Sequence, residues 1–213
     1  MKLGINLVGI SHLLHKERHP VARTYKLCSD NFYKEVHNLL TPKFDVKVYL
    51  TTYVTEEVQN IVDTYKPEKA LFLNYKNSHQ IKTFINSLEL MENQNLNFIM
   101  ITRFDLFFFP GKLKELDIRM NKFNFLCKEE KYWDNFNFVN DCFMIFPGEF
   151  LSPFKKCCYN LLNNPPRLGL TDMHGLYKFV NKEIGNDNIN FMTGEKHYVS
   201  NCNPIYELKR AQV

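Results

Sequence analysis

Arg103-Phe104-Asp105 follows the apolar run Phe98-Ile99-Met100-Ile101, and apolar character resumes at Leu106–Phe109. Two opposite charges set between apolar runs each need a partner, because burying an unpaired ion is costly. Residues i and i+2 on a strand share a face, so Arg103 and Asp105 can pair with each other. The same two groups can instead take ligands. A planar guanidinium forks onto phosphate, and a carboxylate is a hard oxygen ligand for a divalent cation. Asp141 poses a similar question. It interrupts the apolar stretch Phe138–Phe146 and has no basic residue within five positions. One account is a loop cap or a pair with a Lys; the other is a carboxylate held for chemistry. Asp172, after Thr171, precedes a helical pattern, where capping and the helix dipole already account for an Asp.

Further candidates are single residues. Val8-Gly9-Ile10-Ser11 closes the first apolar run; Gly9 lets backbone approach a ligand, and Ser11 offers a hydroxyl. A plain turn explains the same residues. Arg23 is read either as a phosphate contact or as a solvated surface residue. Tyr75, after Asn74, is a stacking platform or a rim aromatic. His197 has no second His at metal spacing. His12, His15 and His19 recur every three or four residues, as a metal face on a helix would, but Pro20 and the lack of an apolar stripe favour a loop. His174, two residues after Asp172, points elsewhere on the helix and is read as acceptor-side or structural. Trp133 beside Tyr132 is a sugar platform or a core residue.

Composition narrows the class of protein. The chain has 213 residues, 45% hydrophobic and 23% charged, which excludes a disordered tail, a collagen and a coiled coil. Only 8 residues are Gly, which argues against a glycine-rich nucleotide loop. The net charge of +4 comes mostly from scattered Lys, so no nucleic-acid partner is expected. No window reaches the roughly 18–20 apolar residues of a membrane helix, and the first residues lack a signal-peptide cleavage site. Six Cys without a CxxC pair suit a reducing cytoplasm. Cys142, inside an apolar run, reads as a small buried hydrophobe.

The elements that must position these groups alternate. Strands are expected at Leu3–Val8, Phe44–Leu50, Ala70–Leu73, Phe98–Ile101, within Phe138–Phe146 and at Asn190–Met192. Helices are expected over 23–40, from Thr55 to Pro67, over 79–93 with Ser78 as cap, over 149–162, and from Thr171 onward. Residues 11–22 read as a loop. Such alternation predicts an α/β fold on a mostly parallel sheet, with ligands at the carboxyl ends of its strands.

Ile99-Met100-Ile101-Thr102-Arg103-Phe104-Asp105-Leu106 resembles the Arg-x-Asp form of the Asp-x-Asp signature of GT-A glycosyltransferases. Val139-Asn140-Asp141-Cys142-Phe143-Met144-Ile145-Phe146-Pro147 is similar to the strand that follows in such enzymes. More narrowly, the chain resembles glycosyltransferase domains of large DNA viruses, such as the chlorella-virus enzymes that glycosylate a major capsid protein. The resemblance covers residue 1 to about 200 and departs at Arg103, which stands where the signature has its first acid.

The resemblance implies a single GT-A domain over 1–213, with a nucleotide-binding half of about 1–110 and an acceptor half of about 111–213. It implies Mn²⁺ or Mg²⁺ on Asp105, with His197 as a further ligand. The nucleotide sugar would lie against Val8, Gly9, Ser11, Arg23, Tyr75 and Arg103, and Asp141 and Asp172 would act on the sugar. The expected function is transfer from a nucleotide sugar, a UDP-hexose first, to a glycan or glycoprotein acceptor such as a viral capsid glycan, with retention of configuration. A nucleotidyltransferase and a non-catalytic nucleotide-sugar-binding domain are the alternatives.

Overall fold

The structure, a computed structural model, describes residues 1–13, 23–164, 173–199 and 203–209; of residues 12, 13 and 23 it describes the backbone. Thirteen strands occur among them: β1 Lys2–Val8, β2 His12–Leu13, β3 Arg23–Thr24, β4 Asp45–Tyr53, β5 Lys69–Leu73, β6 Phe98–Arg103, β7 Leu106–Phe108, β8 Phe123–Phe125, β9 Lys128–Glu129, β10 Phe143–Pro147, β11 Ile189–Phe191, β12 His197–Tyr198 and β13 Tyr206–Leu208. The α-helices are α1 Ser29–Phe32, α2 Asn38–Leu40, α3 Val58–Tyr65, α4 Gln80–Met91, α5 Trp133–Phe136, α6 Leu151–Asn163 and α7 Tyr177–Ile184.

Seven strands form the central sheet, in the order β11-β8-β10-β6-β1-β4-β5. Six run parallel; β10 alone is antiparallel to its neighbours β6 and β8. The carboxyl ends of β1, β4 and β6 and the amino end of β10 therefore share one edge. Register fixes this edge residue by residue: Val8 lies opposite Thr51 and Arg103, and Thr102 opposite Phe143.

Strand alternation builds a core on each face of the sheet. Leu3, Ile5 and Leu7 of β1, Met100 of β6 and Ile145 of β10 meet Tyr25, Phe32, Val36 and Tyr65 on one face. Ile99, Ile101, Met144 and Phe146 meet Phe84 and Leu88 of α4, Phe154 and Leu161 of α6 and Val180 of α7 on the other. Each such side chain, fully buried, contributes about 1.5–3 kcal/mol. Phe123 stacks on Phe146 with centroids 4.7 Å apart, and Phe154 closes the trio.

The fold is mixed α/β with a mostly parallel sheet flanked by helices, as the alternation predicts. Local details differ. The helix expected over 23–40 is broken: Arg23–Thr24 is a strand, Tyr25–Leu27 a 3-10 turn, and a π turn at Tyr33–His37 separates α1 from α2. This turn widens the helix where the ring of Tyr33 lies between those of Phe32 and His37, 5.4 and 5.2 Å away. Ser78 is not a cap; its hydroxyl meets Thr83 Oγ1 at 3.1 Å and the N-cap of α4 is His79. Helix α3 stops where expected, with Lys66 in the left-handed region ahead of Pro67. Strand β8, a full member of the sheet, has no counterpart in the sequence reading.

Candidate active site at the carboxyl edge of the sheet

Arg103 ends β6, and the chain turns so that Asp105 faces back onto it. Arg103 Nε donates to Asp105 Oδ1 at 2.8 Å and Nη2 donates to Oδ2 at 2.7 Å. Asp105 is 2% exposed. Burial opposes the guanidinium charge, and Asp105, with Cys142 and Asp141 adding to it, outweighs that cost, so Arg103 is held charged beyond its ordinary range. Strand β13 lies antiparallel to β7, and Lys209 N–H donates to Asp105 O at 2.9 Å. The C-terminal strand thus braces the turn that makes the fork.

Asp141 sits one strand over, two residues before β10, and is also 2% exposed. Three side chains converge on it from different elements. The Gln80 amide at the start of α4 donates to Oδ2, the Cys142 thiol to Oδ1 at 3.5 Å, and His174 Nε2 lies 4.0 Å from Oδ2. Cys142 links Asp141 to the fork, since its Sγ also accepts from Arg103 Nη1 at 3.9 Å. Burial pushes the Cys142 thiol up to about 12 despite that guanidinium. Beside Asp141, Asn140 is fully buried; its Oδ1 accepts from Cys142 N at 3.1 Å, and its Nδ2 donates to Tyr206 Oη at 2.8 Å.

The other candidates divide. Val8 is a core residue, 2% exposed, so only its backbone reaches the edge. Gly9 has φ of +103°, a conformation that favours glycine, and its N–H donates to Thr51 O. Ser11 is buried; its hydroxyl accepts from Thr52 Oγ1 at 2.7 Å, which makes it an anchor of the loop. Tyr75 is half-buried, edge-on to Tyr53 with centroids 4.9 Å apart, beyond the end of β5. The side chain of Arg23 and the whole of Asp172 lie outside the described residues. His197 is on β12, opposite Lys128, with its ring 6.2 Å from that of Trp133.

A hard divalent cation takes six or more oxygen ligands. Among the described residues no three His, Cys, Asp or Glu side chains gather to hold one. Asp105 has both oxygens in the fork with Arg103. This donor set does not fit a resident divalent ion.

The sequence reading missed Gln80, and it did not bring His174 to Asp141. His174 does not point away: residues 174–176 form a 3-10 turn whose backbone is tied to Val139, and this brings the ring to Asp141. No local pattern marks either residue, because both reach Asp141 from distant parts of the chain.

Neither a family model nor a curated protein matches the sequence. Solved structures match the fold. A mutant of Drosophila beta-1,4-galactosyltransferase 7, in complex with manganese, UDP-Gal and xylobiose, aligns with TM-score 0.50 at 8% identity over 97% of this chain and 70% of that one. A nucleotidyl transferase from Methanothermobacter aligns with TM-score 0.53 at 10% identity, over 93% and 88%. A glycosyltransferase involved in glycosylation of the PBCV-1 major capsid gives TM-score 0.44 at 10% identity, over 90% and 82%. The chain has the α/β fold that GT-A glycosyltransferases and nucleotidyltransferases share. No described helix is long and apolar enough to cross a membrane.

Proposed function

We propose that this protein is a glycosyltransferase that uses a nucleotide sugar, a UDP-hexose first, and transfers the sugar to a glycan or glycoprotein. The observation that carries this reading is the Arg103–Asp105 fork at the carboxyl end of β6, with Asp141 beside it just ahead of β10. Open α/β sheets bind their ligands at this edge. Arg103 uses Nε and one N–H of Nη2 on Asp105. Its outer N–H groups are suited to a diphosphate, and Asp105 fixes the plane of the guanidinium. Gly9 gives the nucleotide close access to backbone at the end of β1. Asp141 supplies negative charge on the sugar side. Residues 1–110 would then form the nucleotide half and 111–213 the acceptor half.

Mn²⁺ or Mg²⁺ arriving with the nucleotide would neutralise the leaving diphosphate. The similar galactosyltransferase structure, which holds manganese and UDP-Gal, sets the order of ligands to try.

A thermal-shift panel of UDP, GDP, CMP, UDP-glucose and UDP-galactose, each with Mn²⁺ or with EDTA, tests the reading. A ligand at 100 times its Kd adds about 2.7 kcal/mol of stability. Uridine compounds should shift the transition most. No shift with any nucleotide, or pyrophosphate release from UTP or CTP with a sugar phosphate, would overturn it.

A further inference from the structure

His174 is built into the same edge from the far side of Asp141. Val139 holds the residue in two ways: Val139 N–H donates to His174 O at 2.9 Å, and His174 Nδ1 lies 3.1 Å from Val139 O. A carbonyl only accepts, so Nδ1 carries the proton and the neutral ring has its lone pair on Nε2. That nitrogen is the one 4.0 Å from Asp141 Oδ2. The ring also lies nearly parallel to Phe138, with centroids 6.2 Å apart. Exposure separates the two groups: 27% of the His174 side chain is exposed against 2% for Asp141. Both Asp141 oxygens accept hydrogen bonds, from Gln80 and from Cys142. A carboxylate so enclosed is poorly placed to attack a sugar, and well placed to face an imidazolium.

We propose that His174 is the catalytic base of the transfer and Asp141 its positioning partner; this rests on the glycosyltransferase reading. His174 Nε2 takes the proton of the acceptor hydroxyl while the acceptor oxygen bonds to the anomeric carbon. The bond from that carbon to the diphosphate oxygen breaks, and its electron pair leaves on the diphosphate, on the Arg103 side. The imidazolium that forms faces Asp141. One displacement inverts the anomeric centre, in place of the retention that the family resemblance implies.

The test uses water as acceptor and UDP-glucose or UDP-galactose as donor, followed by proton NMR. The first hexose released should be the β anomer. His174→Ala should lose about 100-fold or more of the release rate, the range for a general base. Its thermal shift with UDP should be unchanged, and added imidazole should restore part of the rate. His174→Asn keeps a donor for Val139 O and lacks Nε2, so it should lose the rate without losing the turn. Asp141→Asn should lose less than His174→Ala, and imidazole should not rescue it. An α anomer released first, or a His174→Asn rate within about threefold of the parent, overturns the assignment. Nucleotide binding by the parent with no hexose release also overturns the base but leaves the nucleotide site standing. Absence of any nucleotide binding removes both.

Discussion

Arg103 and Asp105 meet through two parallel hydrogen bonds, 2.8 and 2.7 Å long, across a turn of only two residues at the end of the central strand β6. A bidentate pair fixes the guanidinium plane as well as its position. This makes the pair one unit, with Asp105 as the inner half and Arg103, 19% exposed, as the half that reaches outward.

Substitutions should separate the two halves. Arg103→Lys keeps the charge but loses the fork, and should weaken UDP binding less than Arg103→Ala does. Asp105→Asn should destabilise the fold by about 1–3 kcal/mol, because a buried group loses its match. Calorimetry with Mn²⁺ and with EDTA should give UDP affinities within about twofold of each other, since the described donors form no metal set. A large Mn²⁺-dependent affinity, lost in Asp105→Asn, would show instead that the fork opens onto a metal.

Tyr206 and Asn140 tie the C-terminal strand to the segment before Asp141, with Asn140 Nδ2 donating to Tyr206 Oη at 2.8 Å in a buried setting. Tyr206→Phe should lower stability by about 1–2 kcal/mol. Urea denaturation reads this as a lower midpoint with an unchanged slope. No change in midpoint would mean that strand pairing alone holds β13.

Glu57 should give the protein an acid-labile component. Hydrogen bonds from Asn60 and from Lys26, and one from Tyr25, hold its carboxyl down at about 2, below the ordinary 4.5. The folded value is depressed, so the stabilisation is complete above pH 4.5 and is lost as pH falls toward 2. Urea midpoints compared at about pH 6 and about pH 3 should fall further for the parent than for Glu57→Gln. Parallel falls in both would remove Glu57 as a source.

Gly148 and Gly4 both face Leu96, and the outcome of adding a methyl should differ. A Cβ at Gly148 would come within 1.9 Å of Leu96 O, a backbone atom that also neighbours the Gly148 N–H bond to Asn97 O. A Cβ at Gly4 would meet Leu96 Cδ1 at 2.5 Å, the movable end of a side chain. Gly148→Ala should cost about 3 kcal/mol or more and Gly4→Ala about 1 kcal/mol. Thermal melts that rank them the other way would show that the 96–97 turn moves more easily than the Leu96 side chain.

Periodic signals were legible in the sequence alone. Leu3–Val8, Phe98–Ile101 and the Ile81, Phe84, Leu88 face of α4 carry their pattern within a few residues, because alternation and helical spacing are local. The possibility of an Arg103–Asp105 pair was legible for the same reason, being a two-residue spacing. Strand β8 was not, since Phe123–Phe125 is three residues long and becomes a strand only between β10 and β11. Tertiary structure alone decided the neighbourhood of Asp141. Gln80 lies 61 positions away in the chain and His174 comes from beyond α6, and the sheet order puts both at one carboxylate. The residue types that do chemistry are written in the sequence, whereas their meeting depends on long-range strand pairing, which no local pattern encodes.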